Sequence, residues 1–485
     1  MSEPDKLVRK SLRGALVLAG VTALQFLVGF GSQFVLAWLL LPEHFGALAF
    51  AATVADFIKT LMQITGRRYV IKEQSNWQSA VDNAFTLELI LGVITVISIG
   101  ALGLPIMNAL GRPEATCFVQ ILVFAVFTNP FSQLGALYER DLRFGRANIP
   151  VAAAVLTEAA TSIFLAALGF GTWSLVWGRV ARFATMILLY WAVTPYRPRL
   201  TFNIPVWREA FAFGAPLTAT AVLIFFYWNI DYYIVGRLLN DVQLGYYYLA
   251  FQFNAYALKV RSNISAVVFP AFCRAGSDPV IVQGFNLLTR YTAIVFLAIS
   301  VLILAFGPEI IGVTLGEEWL PSIVPFQILS VATAWRAITS YWDPVLVSKG
   351  RTRPFLVAAV LNALIIPTTG YFLTLSHGII GMAFAVLTAV ILTTPIQVIA
   401  LKRVIKVSYG AILGRPILVA LLHLGGSWLI ARLIDATTLP GLLLVVGLSL
   451  GLWSGMALIL IPDLRRDVRR LWRVLRSSLP SSVGS

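Results

Sequence analysis

The sequence predicts an all-α membrane protein of about fourteen transmembrane helices, arranged as two six-helix lobes plus two C-terminal helices. Three observations predict it. The 485-residue chain is 58% hydrophobic and only 12% charged, with a mean hydropathy of +0.83. A soluble fold of this length could not hide that much apolar surface. The apolar residues form continuous runs of roughly 20, the length that crosses a hydrocarbon core of about 30 Å, whereas a β-barrel would alternate. The basic residues also collect in alternate gaps. Of 37 Lys and Arg, 28 fall in or beside every second connection or at the termini, and Arg112 and Arg237 alone fall in the opposite connections.

The segments are placed at 14–41, 45–65, 84–104, 116–136, 148–169, 173–193, 211–236, 244–270, 288–306, 324–347, 354–375, 378–400, 416–434 and 441–461. The positive-inside rule puts connections 66–83, 137–147, 194–210, 271–287, 348–353 and 401–415 in the cytoplasm with both termini. The longest external connection is 307–323, with Glu309, Glu317 and Glu318, and none is long enough for a separate soluble domain. Lys6, Arg9, Lys10 and Arg13 precede a first run too long for a signal-peptide core, so a retained first helix is expected. Pro216, Pro344, Pro367 and Pro395 each remove a backbone hydrogen bond and favour a kink.

The net charge of +15 is no signal for nucleic acid, because it is spread over eight cytoplasmic pieces. Its densest cluster, Arg465, Arg466, Arg469, Arg470, Arg473 and Arg476, suits either an amphipathic helix on anionic headgroups or a solvated tail. Cys117 and Cys273 form no disulfide or metal pattern, and His44, His377 and His423 are far apart. No metal site or organic cofactor is expected. No phosphate-binding G-x-x-x-x-G-K-[ST] loop is present.

An internal repeat organises the chain. Ala37-Trp38-Leu39-Leu40 with Phe45-Gly46 recurs as Gly236-Arg237-Leu238-Leu239 with Leu244-Gly245, at a constant offset of 199 residues. A repeat after six helices enters the membrane from the same side, so the lobes are expected as parallel repeats around a cavity. They span 1–200 and 201–405, and 406–485 supplies the two further helices and the basic tail.

Seven cations lie inside apolar segments: Lys59, Arg179, Arg182, Lys259, Arg261, Arg336 and Arg432. The acids at depth are Asp56, Glu88, Glu158 and Asp231, with Asp343 near a cytoplasmic end. A charge near the bilayer centre costs at least about 2.5–3.5 kcal/mol on insertion scales. These groups must therefore face a wet cavity or one another. Arg432 is close enough to a helix end to snorkel. Spacings of three and four residues put polar groups on single helix faces. Such stripes are Thr22, Gln25, Gly29 and Ser32; Thr53, Asp56, Thr60 and Gln63; Gln252, Tyr256, Lys259 and Asn263; and Thr333, Arg336, Ser340 and Asp343. Glu158 with Thr161 and Ser162, and Arg179 with Arg182, mark two further helices.

Two readings follow. One is a cationic cavity for an anionic substrate, lined by Arg179, Arg182, Lys259, Arg261 and Arg336, with Lys59 at its cytoplasmic side. The other is a set of interhelical ion pairs, such as Glu158 with Arg182 or Asp56 with Lys59. Asp56, Glu88, Glu158 and Asp231 are candidates for binding a coupling ion, a proton or sodium. Short external loops leave little room for a glycosyltransferase or polymerase site, so no enzyme is expected. A cationic cavity does not suit an exporter of cationic drugs.

Leu36 through Gly46, reading LAWLLLPEHFG, resembles the first-hairpin signature of bacterial Wzx-type polysaccharide flippases. These form the polysaccharide transporter branch of the multidrug/oligosaccharidyl-lipid/polysaccharide exporter superfamily. Glu139-Arg140-Asp141-Leu142-Arg143-Phe144 resembles that branch's loop after helix four, and Asp231 through Leu239 with Leu244-Gly245-Tyr246-Tyr247 its second hairpin. The resemblance covers roughly residues 10–400. Trp38 stands where the branch commonly carries Arg, so no role of that Arg carries over. The resemblance implies ion- or potential-driven movement of an undecaprenyl-diphosphate-linked oligosaccharide to the outer leaflet of a bacterial inner membrane. The product would enter exopolysaccharide, capsule or O-antigen synthesis. Its implied partners are membrane lipids and the polysaccharide polymerase machinery. A lipid II flippase shares the implied fold and substrate chemistry.

Overall fold

The computed structural model describes residues 3–466 except 65, 74, 142 and 275–277, with side chains from residue 20 on apart from 66, 144, 260–267, 269–271 and 274. Arg469, Arg470, Arg473 and Arg476 of the expected tail lie outside the described residues, as do the side chains of Lys6, Arg9, Lys10, Arg13, Arg261 and Asn263.

The helices run α1 (Glu3–Leu39), α2 (Pro42–Met62), α3 (Gly66–Lys72), α4 (Trp77–Ala109), α5 (Thr116–Leu122), α6 (Thr128–Arg140), α7 (Phe144–Ala167) and α8 (Thr172–Val193). They continue as α9 (Ile204–Leu238), α10 (Asp241–Arg274), α11 (Asp278–Leu315), α12 (Ile323–Thr339), α13 (Trp342–Ser348), α14 (Arg353–Lys402), α15 (Tyr409–Leu433) and α16 (Leu439–Leu460). Lipid offers the backbone no hydrogen-bond partners, so each apolar run satisfies its own N–H and C=O groups as helix. Leu27, Leu188 and Leu433 are each about two-thirds or more exposed. Such apolar faces suit hydrocarbon rather than water.

Among the described residues, eleven helices are long and apolar enough to cross a membrane. The protein is a multi-pass membrane protein. The expected count of fourteen is not reached on length and apolarity alone, for three local reasons. Helix α14 breaks at Gly378, φ 58° and ψ −141°, into two arms. The arms fold back on each other, with Gly370 against the Met382 sulfur and Gly381 against the Leu373 carbonyl. Polar α10 falls outside the eleven, and the tenth segment is the shorter pair α12 and α13.

Prolines act unevenly. Pro344 sits in the first turn of α13, just past the break after α12. In α14 the backbone leaves helical geometry at Gly378 rather than at Pro367 or Pro395. The ninth segment does not end at 306: α11 continues to Leu315 through a break at Phe306, two residues before Pro308.

The chain divides into two compact units, residues 1–263 with 359–389, and residues 264–358 with 390–485. In the first, the hairpin into α2 shows why its sequence matters. Pro42 opens the helix where its missing N–H costs nothing. His44 Nδ1 accepts from the Leu41 N–H at 3.1 Å. At the basic end, the strap from α8 to α9 is pinned to α4. Asp82 accepts from the Tyr196 hydroxyl at 2.8 Å and the Arg199 N–H at 3.0 Å, and Thr86 accepts from the Thr201 N–H at 3.0 Å. Arg67 pairs with Glu139 at 3.0 Å. Below them Val70, Val81, Leu134 and Tyr190 form a buried cluster.

The second unit is built on buried aromatics: Phe285, Tyr341 and Trp342 pack with Leu401 and Leu413. Trp335 donates to Thr394 at 2.7 Å, and Gln397 to Asp343 at 3.1 Å. Helices α15 and α16 are joined by a polar cluster inside an apolar contact. His423 Nε2 meets Ser449 Oγ at 2.7 Å, and Ser427 Oγ meets the same atom at 2.7 Å.

Candidate functional site

The first unit holds a cavity of about 810 Å³ walled by α1, α2, α7, α8 and α10. All four residues of the α1 stripe, Thr22, Gln25, Gly29 and Ser32, line it. So do Gln252, Tyr256 and Lys259 of the α10 stripe, and Glu158, Ser162, Arg179 and Arg182. Polar groups buried in lipid must turn toward water or protein, and one cavity collects them.

Two glycines set its width. A side chain at Gly178 would place its Cβ 1.8 Å from Ser162 Oγ and 3.1 Å from the Glu158 carbonyl. Its absence lets α8 lie close enough to α7 for Glu158 to reach both arginines. Gly29 on α1 faces the Tyr256 hydroxyl, 3.1 Å from where its Cβ would stand.

The charges form a ladder. Arg182 Nη1 lies 2.8 Å from Glu158 Oε2, and Arg179 Nε lies 3.8 Å from Glu158 Oε1. Arg179 Nη1 then donates to Asp56 Oδ2 at 3.1 Å, joining α8 to α2. Of the two expected pairs, Glu158 with Arg182 is present, while Asp56 holds Arg179 where Lys59 was expected. The reason is reach: Arg179 enters from the facing helix, whereas Lys59 is three residues along α2 and packs over the Phe183 ring at 5.8 Å. Lys259 Nζ stands 4.5 Å from the centre of the Tyr256 ring. Counting side chains on the wall, Arg179, Arg182 and Lys259 against Glu158 leave an excess of two positive charges. Adding Lys59 and Asp56 behind the wall keeps that excess.

The remaining candidates are elsewhere. Glu88 on α4 is buried and accepts from Gln133 Nε2 at 2.9 Å. Asp231 on α9 is buried and accepts from the Tyr247 hydroxyl at 2.8 Å and the Tyr232 N–H at 3.0 Å. Neither lines the cavity, nor do Lys59 and Asp56. Arg336 belongs to the second unit, on α12, and is not among the cavity residues. The Arg261 side chain is outside the described residues. Sequence reasoning passed over Tyr248 and Gln33, which also line the cavity. Tyr248 extends the α10 stripe by one turn, four residues before Gln252, and that spacing could have found it. Among the described residues no group of His, Cys, Asp and Glu could hold a metal ion.

Comparison with known proteins bears on this arrangement. A family described as polysaccharide biosynthesis protein matches residues 35–324. The chain is 24% identical over 348 residues to the lipopolysaccharide biosynthesis protein WzxC of Escherichia coli K12, covering 70% of each. It is 24% identical over 352 residues to the succinoglycan biosynthesis transport protein ExoT of Rhizobium meliloti 1021, again 70% of each. Its fold is similar to that of the lipid II flippase MurJ in an inward closed conformation, with TM-score 0.76 and 13% identity over 93% of this chain and 99% of that one. An inward-facing MATE multidrug transporter of the MOP superfamily is a more distant match, with TM-score 0.55 and 15% identity over 80% and 94%. The family match covers more than half of the chain, including the cavity walls from α2, α7, α8 and α10: the chain belongs to the polysaccharide biosynthesis protein family.

Proposed function

We propose that this protein is a flippase that moves an undecaprenyl-diphosphate-linked oligosaccharide from the cytoplasmic to the periplasmic leaflet of a bacterial inner membrane. The glycan would serve exopolysaccharide, capsule or O-antigen synthesis. The observation that carries this reading is the cavity's excess of two positive charges, which matches the charge of a diphosphate diester. Arg offers a planar fork to phosphate and Lys a point charge, and a low-dielectric wall strengthens both. Gln25, Gln252, Thr22 and Ser32 supply amide and hydroxyl partners for sugars. The names of the two curated relatives support the same class of cargo.

In this reading Glu158 stands in for the substrate. Arriving phosphate competes for Arg182 and Arg179, and the released carboxylate takes up a proton or another coupling ion. Arg179, Arg182 and Lys259 serve the phosphates, while Lys59, behind the wall, and Arg261 and Arg336 stay candidates on sequence alone. Lobes 1–200 and 201–405 rock against each other, with 406–485 as an appendage and both termini cytoplasmic. Reporter fusions after Thr194, Ser348 and the C-terminus should then all read cytoplasm.

The deciding experiment is mass spectrometry of lipid-linked sugars in a deletion strain, with plasmid complementation. Accumulation of a lipid-linked repeat unit is expected. The fold similarity to MurJ raises a second reading, a lipid II flippase. Accumulated lipid II would select it, and an unchanged lipid pool would reject both.

A further inference from the structure

At the end of the first unit opposite its basic connections, α2 and α10 meet backbone to backbone. A Cβ on Gly46 would fall 1.9 Å from the Asp241 carbonyl oxygen, and one on Gly245 would fall 1.8 Å from the Pro42 carbonyl oxygen. The offset of 199 residues carries Pro42 to Asp241 and Gly46 to Gly245. The two contacts therefore exchange under the repeat, as a local two-fold joint requires. The cavity ends one turn away, at Leu48 and Tyr248.

One charged link crosses from the turn after α4 to this joint. Arg112 Nη2 lies 2.7 Å from Asp241 Oδ1, while Nη1 lies 3.0 Å from Glu114 Oε1 in its own turn. The guanidinium also stacks over Phe50 of α2 at 5.3 Å. The groups facing Asp241 are Glu43 and His44 from α2, and Arg112 and Glu114 from the turn. Arg237 of α9 packs on Gly111 of the same turn. Asp241 and Glu114 thus share the Arg112 guanidinium, with Glu43 on the same pocket wall. A separate pocket of about 680 Å³ lined by these residues lets water reach the pair.

We infer that the Arg112–Asp241 pair is a proton-released latch that holds this end of the cavity shut. Asp241 opens α10 ahead of the apolar stretch 244–270. Its carboxyl is raised from its ordinary value, first by burial and then by Glu114 and Glu43, against the opposing pull of Arg112. A raised carboxyl pKa means that the pair is lost as pH falls, and sooner than it would be for the same carboxyl free in water. Neutral Asp241 leaves Arg112 to Glu114, a partner in its own turn, so the tie to α10 goes. Acid on the side opposite the basic connections would then favour opening toward that side. The latch rests on the alternating-access reading but not on the identity of the cargo.

The test is thiol accessibility. Gln252→Cys on the cavity wall is introduced with Cys117→Ser and Cys273→Ser, and labelled from outside with a membrane-impermeant maleimide. Rates are normalised at each pH to those of exposed Thr437→Cys in the same background. Normalised labelling should rise several-fold between pH 7.5 and 5.5. Asp241→Asn should label at the high level at both pH values, and Asp241→Glu should keep the pH response. Arg112→Gln is the companion variant should Asp241→Asn not fold. The latch is overturned if either folded variant labels no faster than its parent at pH 7.5, or if Asp241→Asn keeps the pH response. Since labelling needs no substrate, a failed flippase assignment and a failed latch give separate results.

Discussion

Arg179 on α8 reaches Asp56 on α2 at 3.1 Å, and the contact fixes an arginine at the cavity wall from behind. Removing Arg179 leaves Asp56 and Glu158 without it. A fully buried broken pair costs about 3–5 kcal/mol, but these side chains are 21% and 36% exposed, which brings the expected loss nearer ~2 kcal/mol. Arg179→Ala should therefore lower both the melting temperature and transport. Lys259→Ala should lower transport roughly tenfold, as expected for about 1.4 kcal/mol of lost phosphate binding, with a smaller fall in melting temperature than Arg179→Ala. Thermal scans of purified protein beside transport assays separate the two. Equal melting losses in both variants would reduce Lys259 to a structural residue.

The close approach of α7 and α8 gives a paired test. Gly178→Ala drives its new methyl into Ser162 Oγ and should lower stability by about 1–3 kcal/mol, the usual range for overpacking. Ser162→Ala removes that oxygen and should restore part of the loss, because the Ser162 Cβ is 3.1 Å away. Chemical denaturation in detergent would read the cycle. A double variant no more stable than Gly178→Ala alone would place the strain elsewhere.

Coupling should follow the acid that shares the cavity wall. Glu158→Gln is expected to fold and to lose the response of transport to an imposed pH or sodium gradient. Glu88→Gln and Asp231→Asn, away from the wall, should keep the response. Uptake into vesicles under each gradient makes the comparison. A full response in Glu158→Gln would remove Glu158 from coupling.

The cluster at the end of the chain should be structural. Ser449 joins His423 and Ser427, and interhelical polar contacts in membranes average about 0.6 kcal/mol, with ~1.7 as the upper measured value. Ser449→Ala breaks both contacts and should cost about 1 kcal/mol. Transport per folded molecule should not change. A transport defect at normal stability would give the α15–α16 pair a direct part in movement.

Much of the site could be read from the sequence, because lipid sorts side chains by polarity. Thr22, Gln25, Gly29 and Ser32 were one stripe on paper and are one wall in the structure. Glu158 and Arg182 were likewise expected to meet, and do. What spacing could not supply was adjacency. The Asp56 partner depended on which helix faces α2, and nothing within α2 says that α8 does. Arg336 shows the same limit: its stripe matched that of Lys259 in character, yet it lies on a helix of the other unit. The break at Gly378 was legible, since it falls where Ser376 and His377 separate the apolar segments 354–375 and 378–400, and Gly378 is free to adopt the positive φ of the turn.

The exchanged contacts at Gly46 and Gly245 make their substitutions interdependent. Either added methyl would wedge the same joint apart. Once one contact is separated, the other has little left to lose, so the two effects should sum to less than their separate values. The paired contacts thus tie two positions 199 residues apart into one mutational target, where tolerance at either depends on the residue at the other.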